Sequence, residues 1–203
     1  MDGVLVDSAL AVERVWREWA AEHGLDPAMV VAQAHGRRSV ETLRAVAPHM
    51  DAERENIIVE QREIEDKAGV TALPGADRLL RALPAVRFAI VTSATRPLAV
   101  ARLGYAGLPV PENLVTADAV THGKPSPAPY LKGAALLAIS PPDCLVFEDT
   151  PAGIASARAA GMRVIAVGHT YPVQELWAAE AHVASLAQCK AQVQGGQIVL
   201  DCR

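Results

Sequence analysis

The stretch Leu145-Val146-Phe147-Glu148-Asp149-Thr150-Pro151-Ala152-Gly153-Ile154 decides the fold. It reads as a short apolar strand that closes on two acids and turns at once into a helix. Proline suits the first helical turn, where a missing N–H costs nothing, and Asp149 or Thr150 would cap that turn. Adjacent carboxylates at a strand end are costly unless solvated, hydrogen-bonded or set on a cation. Oxygen-only ligands suit Mg2+, which keeps waters and borrows a phosphate oxygen. Both uses can hold, one carboxylate capping while the other faces a metal.

The same strand-then-helix unit recurs on either side. Apolar, partly β-branched runs at 88–92, 114–116 and 163–167 alternate with helical patterns at 76–83, 96–106, 127–138, 151–160 and 172–180. Strands joined by helices imply right-handed crossovers and a parallel sheet covered on both faces. Such a doubly wound, Rossmann-like α/β sheet binds ligands at the carboxyl ends of its strands. Residues 190–201 read as a terminal hairpin around Gly195-Gly196. Upstream the pattern differs. Residues 8–23 read as a helix, with Ser8 as its cap and Gly24 after its end. Residues 26–70 read as all helical, with starts at Asp26-Pro27 and Asp51 and a stop at Gly69. Trp16 and Trp19, three apart, are expected to pack on one helical face. The layout expected is an α/β core from 1–11 and 74–203 with a helical cap, 12–73, inserted after the first loop.

Composition bounds the function. In 203 residues, 51% hydrophobic and 21% charged residues describe a globular chain with one sizeable core and a small insert. A net charge of -4 with no Lys/Arg block argues against nucleic acid or an anionic membrane as partner. A phosphate site would have to be made locally. No apolar run approaches a membrane span and no secretory signal is visible. Cys144, Cys189 and Cys202 show no metal spacing; Cys144, in an apolar run, is expected to be a buried thiol, and a reducing cytoplasm fits best.

Three further segments fall at strand ends or in the loops beside them. Asp2-Gly3-Val4-Leu5 is a short acidic loop whose glycine lets backbone approach a phosphate. Taken alone, Asp-Gly is a common turn. In Val91-Thr92-Ser93-Ala94-Thr95, Ser93 and neighbouring N–H groups could bind an anion, though Ser93 or Thr95 capping the next helix is the better reading of the segment by itself. In His122-Gly123-Lys124-Pro125-Ser126-Pro127, Lys124 could neutralise a phosphoryl oxygen as a point charge, while His122 reads as a solvated loop residue. Each segment is weak alone, and their order along the chain carries the weight.

That order resembles the haloacid dehalogenase superfamily phosphatases with a helical cap of the β-phosphoglucomutase-like type, sugar phosphatases and glycerol-3-phosphatases above all. Met1-Asp2-Gly3-Val4-Leu5-Val6-Asp7-Ser8 is similar to the second half of that family's Asp-x-Asp-Gly signature loop, and Pro129-Tyr130-Leu131-Lys132-Gly133 matches a further family stretch. The resemblance implies Mg2+-dependent hydrolysis of small phosphorylated sugars or polyols through an aspartyl-phosphate. It implies Asp2 as general acid and base, and Ser93 and Lys124 on the phosphoryl oxygens, with Gly3, Thr92 and Ala94 around them. It also implies Asp2, Glu148 and Asp149 at the metal, and His35-Gly36-Arg37-Arg38 as the cap's substrate loop, Arg38 before Arg37. The nucleophile would directly precede Met1, at the end of a first core strand that also lies before Met1. A chain truly starting at Met1 is expected to fold poorly, so a misplaced start or a clipped form is the expectation. The implied protein is a cytoplasmic monomer. A sugar phosphomutase shares the same motifs. A dehalogenase lacks an acid at the Asp2 position, and a phosphonate hydrolase would need a cap lysine where only Lys67, read as a surface residue, is available. An inactive phosphosugar-binding remnant is the reading from outside enzymes, separable by ligand-induced stabilisation without turnover.

Overall fold

The computed structural model describes residues 1–203 apart from His35 and Gly196. The first loop leads into β1 (Val6–Asp7), and four helices follow: α1 (Ala9–Glu22), α2 (Pro27–Ala34), α3 (Ser39–Val46) and α4 (Ala52–Glu65). The chain returns through β2 (Thr71–Ala72), which pairs antiparallel with β1, Val6 opposite Ala72. Arg14 on α1 donates twice to Asp66 just past α4, at 2.9 and 3.0 Å, so exit and return are tied together. Asp51 accepts from the Arg54 amide and Asp26 from the Ala28 amide, the capping their positions require. Ser8 precedes α1, but its hydroxyl turns to Asp2 and makes no cap bond. α4 ends at Glu65, short of Gly69, which sits at φ +84°.

The helical block has a core of its own. Trp16 and Trp19 meet edge to face, centroids 5.9 Å apart, among buried Val30, Leu43 and Val59. The Trp19 indole donates to Glu55 at 2.9 Å, which satisfies a buried N–H.

The α/β part then runs α5 (Ala76–Ala82), β3 (Ile90–Val91), α6 (Arg96–Tyr105), β4 (Leu114–Val115), α7 (Ala128–Leu137), β5 (Leu145–Glu148), α8 (Pro151–Ala159), β6 (Arg163–Val167) and β7 (Ala181–Val183). β3 pairs with β4, and β5 with β6 and β6 with β7, all in parallel. Between the two halves, flanked by Ile90 and Val91 on one side and Val146 and Phe147 on the other, lies a slot of about 1010 Å³. Met1, Val4 and Leu5 reach into it. β3 is two residues where five were expected: among the described residues it has a ladder partner, β4, on one flank only, and the slot lies on the other.

Two expectations are corrected. Residues 172–180 do not form a helix. A single 3-10 turn, Val173–Leu176, buries Leu176 and leaves Trp177 exposed, after which β7 extends the sheet. One turn is enough because one side chain needs burial. The cysteines, for which no pairing was expected, also differ: β8 (Cys189–Gln194) and β9 (Gln197–Cys202) form the expected hairpin, closed by a Cys189–Cys202 disulfide. The free thiol, Cys144, is half-buried and donates to the Ser140 carbonyl at 3.6 Å. Among the described residues no helix is long and apolar enough to cross a membrane.

Candidate active site

Carboxyl ends of the strands and the first loop converge on one cleft of about 230 Å³. It is lined by Asp2 and Gly3 from the first loop, Thr92, Ser93 and Ala94 after β3, Lys124 before α7, and Asp149 after β5. Gly36, Arg37 and Ser39 close it from the helical block. His35 lies outside the described residues.

The two acids after β5 do different work. Glu148 turns inward, its side chain 2% exposed, where Lys124 pairs with its Oε1. The Tyr130 hydroxyl donates to the same oxygen at 2.6 Å, and Oε2 accepts from the Asp149 and Thr150 amides and the Thr150 hydroxyl. Burial pushes this carboxyl up, but the Lys124 ammonium and these donors outweigh it and hold Glu148 down to about 2. A Cβ on Gly153 would lie 2.0 Å from the Glu148 carboxyl carbon, so glycine is required there. Thr150 also caps α8, accepting from the Gly153 amide at 3.0 Å.

Asp149 faces the cleft instead. Its Oδ2 accepts from the Thr170 hydroxyl. Burial and then the neighbouring Glu148 charge push it up to about 7. A buried carboxylate so poorly neutralised is what a cation would relieve. Gly3, at φ +71°, makes room for it: a Cβ there would lie 1.8 Å from Oδ2. Gly3→Ala is therefore expected to cost roughly 3 kcal/mol or more in stability, combining a left-handed φ with a steric overlap. Urea unfolding would measure it, and a cost below about 1 kcal/mol would show that Asp149 moves aside freely.

Asp2 is held by Ser8, whose hydroxyl donates to Oδ1 at 2.8 Å, and by Arg102, Nη1 3.2 Å from the same oxygen. Burial pushes Asp2 up, but Arg102 and Ser8 leave it below its ordinary value. Lys124, paired with Glu148, lies 5.3 Å from the Tyr130 ring.

After β3 neither hydroxyl caps the helix. Ser93 donates to the Gly36 carbonyl across the cleft at 3.3 Å, and Thr95 to Glu60 at 2.8 Å. The Arg96 amide donates to the Asp118 carboxylate at 3.3 Å instead. The two arginines also part. Arg37 lines the cleft, whereas Arg38 donates to the Thr121 carbonyl at 3.1 Å and packs over Gly123. Arg38 thus ties the helical block to the loop that carries Lys124. His122 is exposed.

Several contributors were not singled out from sequence. Thr170 lies beyond β6, and the carboxyl-end rule already pointed to that loop. Arg102 and Glu63 were signalled by position alone. Arg102 falls on the buried stripe of α6 with Leu98, Ala99 and Leu103, and Glu63 follows Val59 by four residues on α4. Tyr130 was quoted within the family-like stretch 129–133 but was given no role there.

The sequence model of the haloacid dehalogenase-like hydrolases matches residues 1–161. Hexitol phosphatase A of Escherichia coli (strain K12) is 43% identical over 207 residues, covering 99% of this chain and 96% of that protein. Glycerol-1-phosphate phosphohydrolase 2 of Saccharomyces cerevisiae is 34% identical over 189 residues, covering 87% of this chain and 75% of that protein. The β-phosphoglucomutase structure from Clostridium difficile superposes with a TM-score of 0.80 at 23% identity, covering 93% of this chain and 90% of that one.

Proposed function

The chain belongs to the haloacid dehalogenase-like hydrolases, and from that premise we propose that it is a Mg2+-dependent phosphatase of small phosphorylated sugars and polyols, hexitol phosphates first among them. The observation that carries this reading is the meeting of Asp2, Ser93, Lys124 and Asp149 in one small cleft with Arg37 over it. The name of the 43% identical relative supports the hexitol.

Phosphoryl transfer asks for positioning and charge stabilisation. Lys124 and the Ser93 hydroxyl are suited to the non-bridging oxygens, with Gly3, Thr92 and Ala94 supplying the close backbone around them. Asp2 gives its proton to the departing alkoxide, then takes one from the attacking water. The nucleophilic aspartate belongs at the position directly before Met1, where it would form the aspartyl-phosphate. Helices α1–α4 act as a cap that excludes water, and Arg37 reads the sugar or polyol. Arg38 acts in cap closure, through Thr121.

The donor set fits Mg2+, which is usually held through one or two carboxylates with phosphate oxygens and waters completing the shell. Asp149 is the carboxylate left without a cation, and the Asp2 carbonyl is the second oxygen implied. Glu148, taken up by Lys124 and Tyr130, supports from behind. Bound there, Mg2+ would neutralise phosphoryl charge.

Mg2+-dependent phosphate release from hexitol and glycerol phosphates, measured with the aspartate before Met1 in place, tests the reading; stabilisation by ligand without turnover in that form would favour a binding protein. A second readout needs no turnover. Asp149 titrates near its ordinary 3.8 when unfolded and at about 7 when folded, so its burden on stability grows as pH rises between those values and is full above them. Mg2+ must displace a proton below about pH 7. Millimolar Mg2+ is therefore expected to raise Tm more at about pH 8 than at about pH 6. Asp149→Asn is expected to raise Tm without Mg2+ and to abolish the shift with it. A shift retained in that variant would place the cation elsewhere.

A further inference from the structure

We propose that Arg102 is the positioning residue for the general acid Asp2, and that Glu63, reaching in from the helical block, anchors it. This rests on the phosphatase reading, since Asp2 has a leaving group to protonate only there.

Arg102 is an odd occupant of its position. It sits on the apolar stripe of α6, 5% exposed. A buried guanidinium costs several kcal/mol unless it is well paired, and a leucine there would serve packing better. Its partners lie at the cleft. Nη1 is 3.2 Å from Asp2 Oδ1, the oxygen that Ser8 also donates to. A hydrogen bond from Ser8 and the Arg102 charge converge on Oδ1 and hold that oxygen in place, and neither contact uses Oδ2.

On the far side, Nη2 lies 3.4 Å from Glu63 Oε1, and Glu63 is 4% exposed. Glu63 belongs to α4 and Arg102 to α6, so the guanidinium bridges the helical block and the α/β part. Its Nε and Nη2 have no aligned hydrogen-bond acceptor among the described residues. The group is thus held by charge from both ends, with one carboxylate at the chemistry and the other as its stay. A planar fork can span two carboxylates, whereas an ammonium reaches one.

The leaving group separates this role from a general loss of structure. An alkoxide needs its proton during P–O cleavage, and a nitrophenolate does not. The variants are Arg102→Met, Arg102→Lys and Glu63→Gln in the whole protein, assayed on a hexitol phosphate and on p-nitrophenyl phosphate. Arg102→Met is expected to lower the single-turnover rate of ester cleavage roughly 10²-fold on the alkyl ester, with KM within about 2-fold, and by less than about 3-fold on the aryl ester, while the later hydrolysis, which uses Asp2 as base, slows alike for both. Arg102→Lys should recover part of the loss, and Glu63→Gln should lose roughly 10-fold on the alkyl ester alone. Equal losses of cleavage rate on both esters would overturn the proposal, and so would a rise in KM alone. If the protein carrying the aspartate directly before Met1, with no other change, cleaves neither ester, the phosphatase reading fails instead. A crystal structure of Arg102→Met then decides: Asp2 leaving Ser8 supports the positioning role, and Asp2 staying in place refutes it.

Discussion

With an aspartate directly before Met1, at the end of an apolar strand, Mg2+-dependent hydrolysis of a hexitol phosphate is expected to be roughly 10⁴-fold or more faster than with asparagine there. The structure defines where that strand would go. The slot of about 1010 Å³ separates β3 from β5, and Met1 lines both the slot and the candidate cleft. A strand filling the slot would run parallel to both neighbours and deliver its last residue beside Asp2, Lys124 and Asp149. It would also give the facing edges of β3 and β5 the ladder partners that buried backbone groups require. About five apolar residues, each worth about 1.5–3 kcal/mol on burial, outweigh an ordering cost of about 1–2 kcal/mol per residue once those ladders form. A net gain of several kcal/mol moves Tm by roughly 2–4 °C for each kcal/mol. The asparagine form should share the gain in Tm and none of the activity. Calorimetry and phosphate release read the two effects separately. If the aspartate form is stabilised and remains inactive, the nucleophile is not at that position.

How much of this was legible in the sequence depended on which kind of signal each residue carried. Periodicity and punctuation placed α5, α6, α7, α8 and β6 to within a residue or two, because their apolar faces are packed. They failed at 172–180, where only Leu176 is buried and the pattern of apolar residues says nothing about depth. The strand-end rule brought Asp2, Ser93, Lys124 and Asp149 into one reading before any coordinates, since a parallel sheet forces such residues together. Partnership was not legible. Nothing in Glu148-Asp149 says which acid turns inward, and that choice depends on Tyr130 and Lys124 arriving from another helix and loop. Capping was misjudged for a related reason. Ser93 and Thr95 had the right chemistry for the start of α6, but partners across the cleft, Gly36 and Glu60, took their hydroxyls. Short-range rules predict what a side chain can do locally, and the helical block supplied competitors from 35 and 57 residues away.

Lys124→Met is expected to remove activity by roughly 10³-fold and to destabilise the fold by about 3–5 kcal/mol at neutral pH. The second effect is the more informative. Glu148 is 2% exposed on its side chain and owes its ionised state to Lys124, with Tyr130 and two amides assisting. Without the ammonium, burial dominates and the carboxyl moves above its ordinary range. The pH dependence then changes sign. In the unmodified protein Glu148 is held down to about 2, so it contributes stability that is present above its unfolded value of 4.5 and is lost as pH falls toward 2. In the variant burial is expected to set the folded value above the unfolded one, so the same group should destabilise increasingly as pH rises through and beyond its unfolded value. Denaturation followed from acid to neutral pH should therefore show opposite slopes for the two proteins in that window. Lys124→Met combined with Glu148→Gln should recover most of the stability at neutral pH, since the amide oxygen still accepts from the Asp149 and Thr150 amides. It should recover none of the activity, because the cation suited to the phosphoryl oxygens is still missing. A single variant that loses less than about 1 kcal/mol, with its acid slope unchanged, would mean that water or a rearranged loop neutralises Glu148. Lys124 would then be free for the substrate at no structural expense, and the pairing seen here would be a resting contact.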